Sequence, residues 1–126
     1  MFNSILVVCV GNICRSPTGE RLLRKYLPDL KIDSAGVGAL VGKPADASAL
    51  EVAAEHQLSL TGHCAQQLTK SLCREYDLIL VMERGHIDSV CNIAPEVRGK
   101  VMLFGHWNGR EIPDPYKKQS TPSESL

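Results

Sequence analysis

Short apolar segments that recur between helix-like stretches constrain the fold of this chain most strongly. Residues 5–9 (ILVVC), 77–82 (DLILVM) and 100–104 (KVMLF) consist mainly of Val, Leu, Ile and Met. Strands that are apolar on both faces are typical of parallel sheets covered by helices. Residues 31–34 are a weaker candidate for one more strand. The pattern predicts a sheet whose central strands are buried on both sides.

Helix-like segments fill the intervals between these strands. Residues 17–27 are predicted to form a helix with Ser16 as its N-cap and Pro17 in its first position. Further helices are predicted over residues 46–56, with Leu50, Ala53 and Ala54 facing inward, over residues 68–76 and over residues 83–93. This alternation predicts an α/β fold, a small open parallel sheet of the flavodoxin-like doubly wound kind with helices on both faces. Ligands bind such sheets at the carboxyl ends of strands, where Cys9 stands.

Composition and charge exclude several classes of function. The 126 residues, 44% of them apolar, fit one globular domain, and 14 basic residues balance 14 acidic ones. No bulk charge therefore favours nucleic acid or an anionic membrane. The apolar runs are strand-sized, and the N-terminal MFNSILVV lacks the basic start of a signal peptide. Five cysteines without dense spacing indicate a reducing compartment. We expect a cytoplasmic protein with no nucleic-acid partner and no membrane insertion.

The loop after the first strand, residues 9–16 (CVGNICRS), has the composition of an anion-binding loop. Gly11 and Asn12 tolerate left-handed backbone angles, so successive N–H groups can turn inward and form a nest. The helix that follows directs its positive end toward the same point. The predicted phosphate-binding residues are Val10, Gly11, Asn12, Ile13, Cys14 and Ser16.

Two further residues of this loop indicate catalysis as well as binding. The guanidinium of Arg15 matches two oxygens of a phosphate, and Cys9 supplies a thiol. A thiol in so positive a setting is expected to ionise and act as a nucleophile at neutral pH. Ser16 can donate a hydrogen bond to the thiolate, and later to the departing sulfur. The loop therefore combines a phosphate cradle with a nucleophile.

Other interpretations of this loop are weaker. A cysteine six residues before an arginine is common by chance, and a cysteine that ends a strand is usually a buried apolar residue. The internal glycine, the serine after Arg15 and the helix begun by Pro17 favour function. No Gly-Lys-Ser/Thr follows the glycine, which excludes a Walker-type loop, and the chain has no Cys-x-x-Cys pair for zinc.

Three motifs in order resemble the low-molecular-weight protein-tyrosine phosphatases. They are VCVGNICRSP at residues 8–17, SAG at residues 34–36 and DPY at residues 114–116. The resemblance covers residues 2 to about 118 and is closest to the bacterial branch encoded with capsule and exopolysaccharide systems. It implies a four-stranded parallel sheet, no metal and no other cofactor. It also implies Cys9 as the nucleophile, Arg15 as the phosphate clamp and Asp114 as the general acid and base.

The resemblance and the chemistry together predict the rest of the site. An acid that protonates the phenolate leaving group is typically worth 10²–10⁴-fold in rate. Asp114 lies between Pro113 and Pro115, which stiffen its loop. Leu40 and Tyr116 are expected to form the walls of the slot for the phenyl ring. The loop spacing and the family pattern also suggest that Cys14 forms a protective disulfide with Cys9 after oxidation.

The remaining charged residues are predicted to be structural or solvated. Glu20 and the basic residues Arg21, Arg24 and Lys25 are interpreted as the exposed face of the first helix. The four histidines are scattered, and each is interpreted as a surface or capping residue.

The function that we expect is hydrolysis of phosphotyrosine through a phosphocysteine intermediate. The resemblance implies that the partner is a phosphotyrosine protein, the tyrosine autokinase of polysaccharide export. Two alternatives stay open: an arsenate reductase of the same fold, and a phosphate- or phosphotyrosine-binding module without activity. The arsenate reaction needs a cysteine relay, usually a close pair, whereas Cys73 and Cys91 lie on either side of the strand at residues 77–82.

The end of the chain differs from the family pattern. Residues 1–118 are expected to form the phosphatase domain, and residues 119–126 (QSTPSESL) have the composition of a disordered tail. Relatives continue here into a last helix that covers the sheet. We therefore expect a sheet without that helix, and self-association through the surface that it would cover.

Overall fold

The computed structural model of the protein describes residues 3–13 and 15–104. In chain order the elements are β1 Ser4–Cys9, α1 Arg15–Tyr26, β2 Lys31–Gly36, α2 Ala47–Glu55, α3 Lys70–Glu75, β3 Leu78–Val81, α4 Arg84–Ile93, a 3₁₀ helix Pro95–Lys100, and β4 Val101–Leu103. Their ends differ from the predicted ones by no more than two residues. The predictions for Cys14, Asp114, Tyr116, the last helix and the tail at residues 119–126 concern positions outside the described ranges.

The four strands form one parallel sheet in the order β2-β1-β3-β4. The predicted α/β class with a four-stranded parallel sheet is confirmed. The chain moves outward from β1 to β2 on one side and from β3 to β4 on the other, so the strand order reverses between β1 and β3. This reversal opens a crevice at the carboxyl end of β1, where Cys9 lies.

The central strands are buried on both faces because helices cover both. Every residue of β1 and β3 is buried. On the α1 face the core includes Ile5, Val7, Leu23, Leu78, Leu80 and Phe104. On the opposite face it includes Leu6, Val8, Ile79, Val81, Val90 and Val97. Among the described residues no helix has the length and apolar character needed to cross a membrane.

Helix α1 begins earlier than its sequence indicates. Its first residue is Arg15, so Ser16 lies inside the first turn and the predicted N-cap role is wrong. The loop winds directly into the helix, and Pro17 is tolerated because first-turn N–H groups need no helical partner. The Ser16 hydroxyl is therefore available to side chains of the loop.

Helix α2 also buries a different face from the predicted one. Asp46 caps it by accepting a hydrogen bond from the N–H of Ser48 (2.9 Å). Ala49 and Ala53 are buried beside Leu60, whereas Leu50 and Ala54 are exposed. The small alanines allow close packing, and the bulkier Leu50 stays outside.

Gly19 sets how closely α1 approaches the sheet. A Cβ atom at this position would lie 3.0 Å from Met82 Cε, 3.2 Å from Val7 Cγ1 and 3.3 Å from a ring carbon of Phe104. These distances are shorter than ordinary van der Waals contacts, so a larger residue would push the helix away from the sheet.

Alanine substitutions at Gly19 and Gly85 test this close approach, because both glycines lie in helices. No described atom lies within 4 Å of a Cβ built on Gly85. We expect Gly85→Ala to raise the free energy of unfolding by about 0.5 kcal/mol through helix propensity. Gly19→Ala should lower it by about 1 kcal/mol, because overpacking outweighs that gain. Urea unfolding measures both, and equal stabilities of the two variants would contradict the close approach.

Candidate active site

The loop that follows β1 is held by its carbonyl groups. Each carbonyl oxygen from Cys9 to Ile13 accepts a hydrogen bond from a group outside the loop. The donors, in order, are Val37 N (3.0 Å), Gly38 N (3.0 Å), Leu40 N (3.1 Å), His63 Nε2 (2.6 Å) and Asp46 N (2.7 Å). Five successive carbonyls therefore point away from the centre of the loop.

This arrangement turns the N–H groups inward. In a planar trans peptide the C=O and the following N–H point in opposite directions. The N–H groups from Val10 to Ile13 must then face the concave side, opposite the five acceptor bonds. Asn12 allows the curl because it adopts φ 59°, a left-handed angle that asparagine tolerates. The predicted anion-binding nest has this geometry.

The thiol of Cys9 lies beside the hydroxyl of Ser16. The two atoms Cys9 Sγ and Ser16 Oγ are 2.9 Å apart and buried. The amide Nδ2 of Asn12 donates to Ser16 Oγ at 2.9 Å, so the hydroxyl hydrogen of Ser16 is free to point at the sulfur. The N–H of Gln66 donates to Asn12 Oδ1 at 2.8 Å, which determines the orientation of the amide. When Cys9 is a thiolate, which can only accept, Ser16 is the hydrogen-bond donor of this pair.

The network extends from Asn12 into the interior. Asn12 Nδ2 also donates to Ser34 Oγ (3.0 Å), and Ser34 Oγ donates to Glu20 Oε1 (2.7 Å). Glu20 is only 4% exposed, and its carboxylate is paired with Arg21 (2.9 Å) and Arg24 (3.5 Å). A buried carboxylate needs such partners to remain charged.

The prediction of a solvated face is therefore wrong for Glu20, which is buried, and for Arg21, which is partly buried, whereas Arg24 and Lys25 are exposed as predicted. The first half of α1 is enclosed on several sides, and residues 16–20 are all buried. The i, i+4 spacing of Ser16 and Glu20 was a signal in the sequence, since it puts both on one side of the helix.

His63 and Gln66 are site residues that the sequence analysis missed. His63 was predicted to lie at the surface, but it is buried and contacts Asn12 O through Nε2. A carbonyl oxygen can only accept, so Nε2 carries the hydrogen. Gln66 contributes its backbone N–H, which no sequence pattern distinguishes from any other N–H. Both residues reach the loop only through the tertiary fold.

Arg15 is held at the carboxyl end of β3. Its Nη1 lies 2.6 Å from the Glu83 carboxylate, and its side chain is largely buried. Glu83 precedes α4, and its side chain makes no capping hydrogen bond to that helix. Two neighbouring strand ends therefore deliver the cysteine and the acid that orients the arginine.

His86 lies beside this ion pair. Burial lowers the pKa of His86; the Arg15 charge lowers it further, and the Glu83 charge opposes both. Its Nδ1 is buried and has no hydrogen-bond partner among the residues that the structure describes. In its neutral form the His86 imidazole does not compete with Arg15 for the Glu83 carboxylate.

The rim of the loop is apolar and exposed. Val10 is 49% exposed and Leu40 is 51% exposed. The bond from Leu40 N to Gly11 O ties the Leu40 segment to the loop. Gly36 permits this approach, because a Cβ there would lie 2.3 Å from Val10 O. Such a rim can contact a flat apolar group of a substrate.

The described part of the chain thus places Arg15 and Ser16, in the first turn of α1, beside the loop that carries the other predicted residues: Cys9, Val10, Gly11, Asn12 and Ile13. The side chain of Ile13 packs toward Ala45, Ala49 and Leu60, so it anchors the loop. Inward N–H groups, a guanidinium and a thiol with a hydrogen-bond donor are suited to binding a tetrahedral oxyanion and attacking it.

Changing Asn12 to aspartate tests the role of its amide. Asn12→Asp keeps the shape and the tolerance of positive φ but removes both Nδ2 donors. The Ser16 hydroxyl can then donate to the new carboxylate instead of to Cys9. We expect alkylation of Cys9 by iodoacetamide at pH 7 to slow about tenfold, the effect of one charge-assisted hydrogen bond of about 1.5 kcal/mol.

Peptide mass spectrometry separates Cys9 from the exposed Cys64 in this experiment. Asn92→Asp, on an exposed position of α4, is the matched control and should alkylate at the native rate. A native rate in Asn12→Asp would show that the amide does not orient Ser16.

The lowered pKa of His86 predicts a pH dependence of stability. The folded state binds this proton less readily than the unfolded state, whose histidine pKa is about 6.5. The free energy of unfolding should therefore fall as the pH drops below about 6.5, by at most about 1.4 kcal/mol per pH unit. His86→Gln should flatten this pH dependence, whereas His56→Gln, at an exposed position, should leave the pH dependence unchanged. Urea unfolding at several pH values measures it; a native slope in His86→Gln would contradict the assignment.

Comparison with known proteins gives the family of this chain. The family model "Low molecular weight phosphotyrosine protein phosphatase" matches residues 4–124. The low molecular weight protein-tyrosine-phosphatase Wzb of Escherichia coli strain K12 is 71% identical over 119 residues, 94% of this chain and 81% of that protein. The crystal structure of Erwinia amylovora tyrosine phosphatase AmsI has a TM-score of 0.86 at 67% identity, covering 94% of this chain and 80% of that one. Vibrio vulnificus Wzb in complex with benzylphosphonate has a TM-score of 0.86 at 59% identity, covering 94% of this chain and 85% of that one. The chain belongs to the low molecular weight phosphotyrosine protein phosphatase family.

Proposed function

We propose that this chain hydrolyses phosphotyrosine in proteins through a phosphocysteine intermediate. The observation that carries the proposal is the Cys9 loop, where inward N–H groups surround a thiol 2.9 Å from the Ser16 hydroxyl. A loop of this shape binds the three non-bridging oxygens of a phosphate and leaves the phosphorus open to the sulfur.

In the first step the Cys9 thiolate attacks phosphorus. The S–P bond forms and the bond from phosphorus to the tyrosyl oxygen breaks. Arg15 and the loop N–H groups stabilise the charge on the phosphoryl oxygens. Asp114, in its acid form, protonates the departing phenolate; this role rests on the family resemblance, since Asp114 lies outside the described residues.

In the second step water attacks the phosphocysteine. The Asp114 carboxylate takes a proton from the water, an O–P bond forms and the S–P bond breaks. The Ser16 hydroxyl donates a hydrogen bond to the departing thiolate of Cys9, and inorganic phosphate leaves. The hydrogen bond from Asn12 keeps Ser16 in the donor orientation for this step.

The apolar rim favours an aromatic phosphate ester. Val10 and Leu40 are exposed beside the loop, and Tyr116 is expected to complete the slot by resemblance. Benzylphosphonate, the ligand in the Vibrio vulnificus relative, is an aromatic group on a tetrahedral phosphonate. A phenyl ring stacked at this rim gains from burial of apolar area.

We place the enzyme in the cytoplasm, with a tyrosine autokinase of capsule or exopolysaccharide export as its substrate. The relatives named Wzb and AmsI support this proposal, because the loop motif resembles the branch of the family that is encoded with capsule and exopolysaccharide systems.

Dephosphorylation of a phosphorylated tyrosine-rich peptide from such a kinase, compared with a peptide of the same sequence that carries phosphoserine instead, tests the proposed substrate. Equal rates on both peptides would contradict tyrosine specificity.

Substitutions of the three catalytic residues test the mechanism. With an aryl phosphate as substrate, Cys9→Ser should abolish turnover because the hydroxyl is a far weaker nucleophile. Asp114→Asn should lower kcat by roughly 10²–10⁴-fold, the range for loss of a general acid. Arg15→Lys should lower kcat/KM by at least about tenfold because a lysine cannot bind two oxygens in a fork.

Cys64→Ser is the matched control, since Cys64 is exposed and outside the loop. It should keep native activity. Turnover that survives Cys9→Ser would contradict a mechanism in which Cys9 is the nucleophile. Turnover of arsenate with thioredoxin but not of an aryl phosphate would indicate the arsenate reductase, and phosphate binding without turnover would indicate a binding module.

A further inference from the structure

We propose that Arg21 is a positioning residue, which holds residues 59–66 against the loop and thereby aims Ser16 at Cys9. This inference rests on the proposed phosphatase function of Cys9. Among the described residues, Arg21 makes no hydrogen bond to the thiol or to the loop, so its effect on the reaction would pass through the segment that it binds.

Arg21 joins α1 to a segment without regular secondary structure. Its Nη1 donates to the carbonyl oxygens of Ser59 (3.1 Å) and Thr61 (3.2 Å), while its Nε donates to the Glu20 carboxylate (2.9 Å). Its side chain is 20% exposed, so water screens these bonds only in part. One planar guanidinium can serve two carbonyls and a carboxylate at fixed angles, which a lysine cannot.

The backbone of the segment that Arg21 binds turns sharply at two points. Gln57, two residues before the segment, and Gly62, within it, have positive φ angles (62° and 82°). The two carbonyls that Arg21 binds flank Leu60, which is buried against α2. Charge-assisted hydrogen bonds to two carbonyls so close in sequence restrain the backbone on both sides of this anchor.

The same segment contacts the loop through His63 and Gln66, which lie two and five residues after Thr61. His63 Nε2 donates to Asn12 O, and Gln66 N donates to Asn12 Oδ1. These two bonds fix both the backbone and the amide of Asn12, and Asn12 Nδ2 in turn determines the direction of the Ser16 hydroxyl. A shift of the segment would therefore reach the sulfur through three successive hydrogen bonds.

Arg24 provides a matched control on the same helix. It approaches the same Glu20 oxygen (3.5 Å), but its other bonds go to Ile32 O (2.8 Å) and Asp33 Oδ1 (3.0 Å) of β2. Within the described residues, Arg24 makes no hydrogen bond to residues 59–66. Loss of either arginine removes one positive charge beside Glu20, and only loss of Arg21 also removes the hydrogen bonds to Ser59 and Thr61.

The experiment compares Arg21→Met, Arg21→Lys and Arg24→Met in the full chain. We expect Arg21→Met to lower kcat on an aryl phosphate about tenfold, since misplacing a catalytic group by a fraction of an ångström has effects of this size. The pH midpoint of Cys9 alkylation should move upward, because a misaimed Ser16 stabilises the thiolate less. Arg24→Met should lose comparable stability in urea, yet its kcat and its alkylation midpoint should change much less than those of Arg21→Met. Arg21→Lys should follow Arg21→Met in kcat while retaining more stability.

Three outcomes would overturn the proposal. Equal losses of kcat in Arg21→Met and Arg24→Met would show a structural role shared by both. Full kcat in Arg21→Lys would show that only the charge beside Glu20 matters. A native alkylation midpoint in Arg21→Met would show that the segment does not aim Ser16. If the native chain hydrolyses no aryl phosphate, the proposed function fails, whereas the alkylation midpoint still tests the positioning role alone.

Discussion

The outward pairing of the carbonyl groups of residues 9–13 is the interaction on which the site depends. A buried carbonyl must find a donor, and here the five donors come from three parts of the scaffold: the segment after β2, His63 and the N-cap of α2. Because the peptide is planar, satisfying the carbonyls on one side leaves the N–H groups on the other. The anion-binding surface is therefore built before any anion arrives. Such preorganisation is what allows dipoles to stabilise developing charge without a cost of reorganisation during the reaction.

A buried polar network supports this loop from behind. Asn12 occupies its centre, with one amide hydrogen on Ser16, the other on Ser34 and its oxygen on the N–H of Gln66. The network ends on Glu20, whose charge is balanced by Arg21 and Arg24. Buried polar groups are costly when unsatisfied and specify one arrangement when all are satisfied. The thiol thus depends on side chains that never touch the phosphate, and α1 serves both as a helix whose dipole faces the anion and as the support of its own preceding loop.

The accuracy of the sequence predictions follows the range of the forces involved. Strands β1 and β3 were predicted correctly because burial on both faces leaves a local apolar pattern. Strand β4 was also predicted from its apolar residues, but it is only partly buried and Met102 is exposed. The proximity of Cys9, Asn12 and Ser16 could be predicted because one short stretch of the chain carries them, and their roles in binding and catalysis stay predictions. Glu20 was predicted to be exposed because helix periodicity cannot show that a distant segment covers a second face of α1. His63 was missed for a similar reason, since it lies fifty-one residues from its partner Asn12 and no local pattern joins them.

The amino-acid sequence by itself determined the α/β class and the family, and it predicts the residues that carry the chemistry. These properties depend on local apolar patterning and on the continuous stretch from Cys9 to Ser16, where spacing along the chain equals proximity in space. The tertiary structure alone decided how the thiol is oriented and which partners hold the arginine and the loop. Those properties depend on hydrogen bonds between residues far apart in sequence, such as Gln66 with Asn12 and Glu83 with Arg15. A hydrogen bond requires its two atoms to lie within about 3 Å, and only the folded chain brings such distant residues that close.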